Sequence, residues 1–580
     1  MRVAVIGAGP SGLVTLKYLI TAHNFLDTEP IEATLFEAED AIGGTFAHRT
    51  YEDAELVSSK QLTTFSDFRP NADDPDFLSA ERYVQYLRDY CTHFNLWPHI
   101  KLSSKVTSYG CNGLAVCSGL HVTPNIPTLE GIENVPKVFH SADFKTKSQF
   151  GVDKTVLVLG TGETGMDVAY MAVNSPTRRV LLSHRDGFLC APKRVPDPVI
   201  LPIFGNKSDP NHLNVPVDSS SASLFDTAYV HHRLRDHMLL WEYYDFFIKS
   251  TLWLVGGSKY GLGQWIGGIS DGRYHASKIF FNKSNKAMPY ISAPYRASHE
   301  SSLLQRLRAS VIQVDIADTH GRHIDLAPRP ACFTPSGTVT FTNNNRPEYT
   351  RLRHEQIAPD VVVLATGYTQ TFPFLAAGYP TPSTTLDTRD LWHSSDPSVA
   401  FVGFVRPSFG AIPPLAEMQA MLWVLRLVGG PAAVGVLDPA HEPQYRLKLA
   451  ETARIQYGVD HESYAYQLAV DMGAAMGVGE VMRKGWGCGG DGWYKLPLVW
   501  ALGANFNAKF RVRGPWRWDG AREVLVGELW DTVARRGGFF GHITLSGLPM
   551  LVFGTISLFL YLLDPLLELI RPKKTAANKR

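Results

Sequence analysis

The sequence predicts an α/β fold with two dinucleotide-binding, Rossmann-like domains, the second inserted in the first, followed by a C-terminal hydrophobic helix. Three observations predict it. A short β-branched run opens directly into a glycine loop at the N-terminus, the same arrangement recurs from Thr155, and an uncharged stretch lies near the C-terminus.

In chain order, Val3 to Ile6 give the first strand, Gly7-Ala8-Gly9-Pro10-Ser11-Gly12 the turn, and Leu13, Leu16, Leu19 and Ile20 the apolar spacing of a helix. The three glycines differ in what they do. Gly7 makes the tight bend, Gly9 lets backbone approach a pyrophosphate, and Gly12 lets the helix pack closely on the strand. The positive end of the helix then faces the phosphates. A second strand, Ala33 to Phe36, ends in Glu37, whose carboxylate suits ribose hydroxyls, with the extra stretch HNFLDTEPIEA absorbing a longer separation than usual. Thr155 to Leu159 followed by Gly160-Thr161-Gly162-Glu163-Thr164-Gly165 repeats the pattern, with a helix expected from Met166. Two such sites imply two cofactors. After the second loop the strand Val180 to Leu182 runs into Ser183-His184-Arg185-Asp186-Gly187, and Arg185 stands where the first copy has its acid. A guanidinium there suits the 2′-phosphate of NADPH, which Glu37 would repel. A third buried strand, Asp360 to Leu364, ends in the small-residue turn Ala365-Thr366-Gly367-Tyr368, where backbone can meet a cofactor. Between them, NKSDPNHLNVPVDSSSASL has the composition of a surface loop.

The stretch 543–563, ITLSGLPMLVFGTISLFLYLL, is 21 residues without a charge, about 32 Å long as a helix at ~1.5 Å per residue. Arg571, Lys573, Lys574, Lys579 and Arg580 form a basic tail behind it. A membrane anchor through the C-terminus is therefore expected, as a transmembrane helix or as an in-plane or re-entrant segment, because a spanning helix would carry the basic tail across. The alternative is a buried core helix. Domain bounds follow as 1–150, 151–370, 371–540 and 541–580.

Composition removes other classes. An apolar fraction of 45% with 19% charged residues is globular, and 56 basic against 55 acidic side chains leave a net charge of +1, so no global field selects nucleic acid. Six cysteines without a Cys-x-x-Cys pair exclude a disulfide scaffold or zinc finger and suit a reducing compartment. No metal site is expected. The first twenty residues are not a signal peptide, because glycines interrupt their apolar run.

With these motifs in hand, the chain resembles the flavin-containing monooxygenases of the two-dinucleotide-fold type, including fungal dimethylaniline-monooxygenase-like proteins. The resemblance spans about residues 1–430. It rests on the loop Gly7 to Gly12, Glu37, Gly43-Gly44-Thr45-Phe46, Ser58-Ser59-Lys60 with Phe65-Ser66-Asp67-Phe68, and Val116-Cys117-Ser118-Gly119. His140 to Phe144, the second loop with Arg185, Thr366-Gly367-Tyr368, Phe372-Pro373-Phe374-Leu375 and the stretch Gly403 to Gln419 complete it. It implies FAD on the first loop, with Glu37, Gly44, Thr45, Phe46, Thr366, Gly367 and Gln419 around it, and NADPH on the second, with Ser183 and Arg185. The implied reaction oxygenates a soft nucleophile, N or S, of a small molecule with O2 through a flavin C4a-hydroperoxide. His140 would order the linker between the two domains, and the resemblance implies catalytic domains facing the cytosol at a membrane, with the endoplasmic reticulum as candidate compartment. Oligomeric state stays open.

The chain departs from the family at three places. Asn134 and Pro136 replace the Phe and Gly of the signature that ends at His140, leaving His140 and Phe144, and Phe144 favours heteroatom oxidation over Baeyer–Villiger chemistry, whose enzymes usually carry Trp there. Val57 stands where the family has an asparagine beside Ser58 and Ser59, which suggests partial loss of reducing equivalents as peroxide. Lys105 to Gly110 runs almost directly into Leu114, where relatives have a β-meander. Two alternatives remain: a degenerate membrane-associated flavoprotein without turnover, and a Baeyer–Villiger-type enzyme. A disulfide reductase is disfavoured, since Gly43 to His48 contains no cysteine.

Overall fold

The computed structural model describes residues 1–185, 187–188, 190, 192–194, 214–220, 230–235, 282–296, 301–312, 316–382, 386–446 except 409 and 436, 458–535 except 488, and 547–570. Strands β1 (Arg2–Ile6), β2 (Glu32–Phe36), β3 (Ile100–Lys101) and β4 (Gly113–Val116) begin a parallel sheet. Strands β5 (Lys137–His140), β6 (Thr155–Leu159), β7 (Arg179–Ser183), β8 (Ile324–Ala327) and β9 (Val361–Leu364) form a second one, in the order β5-β9-β6-β7-β8. The chain then returns to the first sheet as β10 (Val399–Phe401), giving the order β10-β4-β1-β2-β3. The second domain is thus inserted in the first. All pairings in both sheets are parallel. Every residue of β6 and β9 is buried, as expected of strands covered on both faces.

The boundary between the domains falls earlier than the sequence suggests. β5 pairs with β9, and Phe144 and Phe150 lie fully buried in the second core, so residues 137–150 belong to the second domain. Their apolar pattern does not say which sheet they join.

Helix α1 (Pro10–Ile20) follows β1, α2 (Ala80–His93) is capped by Ser79, and α3 (Glu163–Val173) follows β6, starting at Glu163 and not at Met166. α4 (Ile412–Gly429) packs along α1 and is buried through most of its length. Beyond it come α5 (His461–Asp471), α6 (Val478–Trp486), α7 (Gly492–Leu502) and α8 (Leu548–Ile570). The C-terminal region, in which the sequence suggests no chemistry, clamps the first domain. Arg511, fully buried, donates to the Tyr18 hydroxyl and, over 3.0 Å each, to Ser66 Oγ and Asp67 Oδ2. Glu417 accepts from Tyr18, Ser66 and Asn507 in the same network and so serves the packing of this clamp.

Two further expectations are corrected. Residues 217–220 of the supposed surface loop are helical, and Val217, Asp218 and Ser219 are buried; residues 206–213 and 221–224 lie outside the described residues. Among the described residues, no helix is long and apolar enough to cross a membrane. The C-terminal helix does form, but it carries Pro549, Asp564, Pro565 and Glu568, and its inner face is committed to protein through Phe553, Ser557 and Asp564. Residues 543–546 and the basic tail lie outside the described residues. Cys91, Cys111, Cys117, Cys190 and Cys332 are unpaired, and no metal-binding group occurs among the described residues.

Candidate cofactor and active site

The two glycine loops have the same geometry. Gly7 has φ +106 and Gly160 φ +114, and a side chain on either would strike backbone oxygen, of Cys117 at 2.6 Å and of Ala365 at 2.4 Å. Gly12 and Gly165 lie against the oxygens of Gly7 and Gly160, at 1.8 and 2.0 Å from where a Cβ would stand. Those four glycines serve the fold. The middle ones do not: a Cβ on Gly9 would meet nothing nearer than Gly44 Cα at 3.8 Å, and one on Gly162 nothing within 4 Å. Each loop thus keeps an open cradle beside its middle glycine, at the positive end of a helix, which is the shape and charge a pyrophosphate needs.

Around the first cradle, Glu37 is nearly buried, with Oε2 accepting from the Ala8 N–H at 2.6 Å and Oε1 from the Glu39 N–H at 3.0 Å. A carboxylate has about four acceptor sites, so the two in use fix its position and leave others for ribose hydroxyls. Gly44, at φ +55, lies against Gly9 and starts the turn Thr45–His48, whose Phe46 stands edge-on to Tyr83 at 4.7 Å. Gly403 abuts Ser11, and Ile412, the first residue of α4, lies next to Gly403. The N-termini of α1 and α4 therefore meet at one place, adding their dipoles. Pro10 at the start of α1 and Pro413 and Pro414 at the start of α4 are set for helix entry without an amide that would go unpaired.

Gln419 is not exposed to a ligand. It is fully buried, its oxygen accepting from Gly403 N at 2.8 Å and its amide donating to Tyr464 at 2.8 Å, so it positions the Gly403 turn from behind. Ser183 is likewise buried, its hydroxyl donating to Pro328 O at 2.9 Å. Arg185 stands exposed just beyond β7, at the end of the sheet that carries the second loop. Thr366 and Gly367 form the domain crossing: Thr366 Oγ1 donates to Asn125 O at 2.5 Å, and Gly367 O receives His140 Nε2 at 3.0 Å. His140 Nδ1 accepts from Ala142 N at 3.1 Å, which makes Nε2 the protonated nitrogen. Burial holds this histidine below its ordinary pKa, so it is a neutral linker group.

The two domains meet at Ser58 and Ser59. Ser58 Oγ donates to Gly410 O at 3.2 Å and accepts from Lys283 Nζ at 3.1 Å, and Ser59 N donates to Asp218 at 2.6 Å. Glu163, at the start of α3, accepts from the backbone of Lys283 at 3.2 Å. Burial raises the pKa of both Glu163 and Asp218, against the charge of Lys283. His461 abuts Gly410 with its Nε2 buried and unpaired. Val57 is half-buried beside this group. Lys283, Asp218 and His461 had no sequence signal: each lies in a stretch with no motif and reaches the site only through the fold.

Two parallel-sheet domains, each with an open phosphate cradle at a helix N-terminus, define a protein built to hold two dinucleotides. Residues 1–113 and 111–195 match the flavin-binding monooxygenase-like family, the break falling where the chain runs straight into β4. The chain is 51% identical to the monooxygenase cfoE of Aspergillus candidus, over 98% of this chain and 99% of that protein. It is 46% identical to the monooxygenase ptmN of Penicillium ochrochloron, over 98% and 96%. The structure of S-allyl-L-cysteine S-oxygenase from Allium sativum superposes with a TM-score of 0.50 at 15% identity, over 92% of this chain and 98% of that one, and so shares the fold. The chain belongs to the flavin-binding monooxygenase family and is an FAD-dependent monooxygenase that uses NADPH.

Proposed function

We propose that this monooxygenase oxygenates nitrogen or sulfur in a small molecule, and that it does so at a membrane surface. The observation that carries the reading is the pair of open cradles, the second of which is tied to the first domain through Glu163, Lys283 and Ser58. When bound, FAD reduced by NADPH supplies the oxygen chemistry. The chain's own part is to bind, orient and exclude water. Gly9, Glu37 and the two helix N-termini would hold FAD; Gly162 and Arg185 would hold NADPH; His140 and Thr366 fix the crossing between the domains. Preference for a heteroatom over a ketone is supported by Phe144, which packs at 5.0 Å on Phe150 and leaves no indole N–H at that position.

Association with a membrane is supported by two apolar surfaces. On α8, Leu551, Leu558, Phe559, Leu562 and Leu566 are each more than half exposed along one side, opposite the face that packs on His231. In the hairpin of α6 and α7, Trp486 and Trp493 are 75% and 54% exposed at either end of a glycine turn, the amphipathic ring type enriched at bilayer interfaces. An in-plane attachment keeps both nucleotide domains on the cytosolic side, with the endoplasmic reticulum as the candidate membrane. The test of the reaction is NADPH-dependent oxygen uptake with tertiary amines, sulfides and cyclic ketones in parallel. N-oxides or S-oxides support the reading; lactones alone would replace it with Baeyer–Villiger chemistry.

A further inference from the structure

The two glycine loops are held from behind by different donors. In the first, the carbonyl of Ala8, between the bend and the middle glycine, accepts from the Gly43 N–H at 2.9 Å. In the second, the corresponding carbonyl of Thr161 accepts from the side-chain amide of Asn282 at 3.0 Å, across 121 residues of chain. Asn282 is 6% exposed, and its other end is fixed as well. Its Oδ1 accepts from the Ser284 N–H at 2.6 Å, so only the NH2 group is left to face the loop. A backbone bridge between Asn282 and Cys190 and the bond from the Lys283 N–H to Glu163 hold this segment in place.

What such a donor does follows from the peptide plane. The peptide bonds are trans, so the C=O of Thr161 and the N–H of Gly162 point to opposite sides of the chain. Fastening the carbonyl to Asn282 therefore aims the Gly162 N–H away from Asn282. The same relation holds between Ala8 and Gly9, and the two middle glycines share one conformation, φ −75 and ψ 179 in the first and φ −70 and ψ 176 in the second. Neither N–H has a protein acceptor among the described residues, and each glycine borders the open space of its cradle.

We propose that Asn282 is the positioning residue of the second cradle: it sets the Thr161–Gly162 peptide so that the Gly162 N–H donates to the pyrophosphate of NADPH. It does with a side chain what Gly43 does with its backbone at the first cradle. The proposal rests on the reading above that the second loop holds NADPH.

Equilibrium dialysis of NADP+ against the full-length, FAD-loaded protein tests it, with adenosine 2′-monophosphate as a competitor that carries the 2′-phosphate but no pyrophosphate. Asn282→Leu, similar in shape and without a donor, should raise the Kd of NADP+ about ten-fold, the loss of one hydrogen bond to a charged group. The Ki of adenosine 2′-monophosphate and the flavin spectrum should not change. Where Asn282→Leu does not fold with its flavin, Asn282→Ala gives the same comparison. Unchanged NADP+ affinity in a folded, yellow variant overturns the proposal, and so does an equal loss for both ligands, which would mean that the whole pocket has loosened. Wild type and Gly162→Val that bind NADP+ equally well defeat the underlying reading instead, so the two failures are distinct.

Discussion

Arg185 and Asp76 show how a charged side chain acts through what surrounds it. Arg185 is exposed at the end of β7 and can meet a 2′-phosphate with a charge-assisted contact of about 1.5–3 kcal/mol. Arg185→Ala should raise the KM for NADPH at least ten-fold and leave that for NADH nearly unchanged, as initial rates with both nucleotides would show; equal losses would remove the assignment. Asp76 instead is nearly buried. It accepts from Gln61 at 2.8 Å and Arg535 at 3.0 Å, and it also pairs with Arg194. Burial alone would push its carboxyl up, but Arg535, Gln61 and Arg194 outweigh that and hold it at about 2. The unfolded carboxyl, near 3.9, therefore binds its proton first as pH falls, so the stabilisation is complete above about pH 4 and lost toward pH 2. Asp76→Asn should flatten the fall in Tm across that window. Of these residues, only the place of Arg185 beyond β7 was legible, because it follows a strand and a glycine loop at fixed spacing. Asp76 and Lys283 were not, because their partners come from distant segments and one-dimensional spacing carries no trace of them.

At the scale of elements, both strand–loop–helix units were legible because hydrophobic period and glycine position agree there. The C-terminal helix was legible as a helix; of the two forms of anchor expected there, the transmembrane span is the one not supported, because an uncharged run does not reveal that one face is already taken. His231 donates its N–H to Ser557 at 2.9 Å and contacts Asp564 at 2.6 Å, so deleting the helix would also expose a buried histidine. Substitution of the outer face alone is the cleaner test. Leu558→Ser, Phe559→Ser and Leu562→Ser together remove the larger part of one exposed stripe, and at about 25 cal/mol per Å² of apolar surface several kcal/mol of membrane affinity should go with it. In co-sedimentation with anionic vesicles, the wild type should pellet, and the triple variant should stay in the supernatant with its flavin. Wild type that remains in the supernatant would contradict a surface attachment.

In the whole molecule, one chain holds two nucleotide domains in register by three means: the β10 return, the crossing segments joined by Thr366 and Asn125, and the Lys283 bridge. The order of the domains could be read from the sequence, but the membership of β5 and the clamp made by Arg511 could not, since both depend on which sheet or core a segment joins. The central claim is that the first loop carries FAD and the second carries NADPH for oxygen activation. Gly9 and Gly162 test it directly, because the protein itself leaves room for a side chain at both. The measurement is the visible spectrum of wild type, Gly9→Val and Gly162→Val, before and after anaerobic NADPH, followed by admission of oxygen. Wild type should be yellow, bleach with NADPH and regain colour on consuming oxygen; Gly9→Val should be folded and colourless; Gly162→Val should be yellow and bleach with dithionite but not with NADPH. Two variants that are both yellow and both bleached by NADPH, or a wild type that NADPH does not bleach, would contradict it.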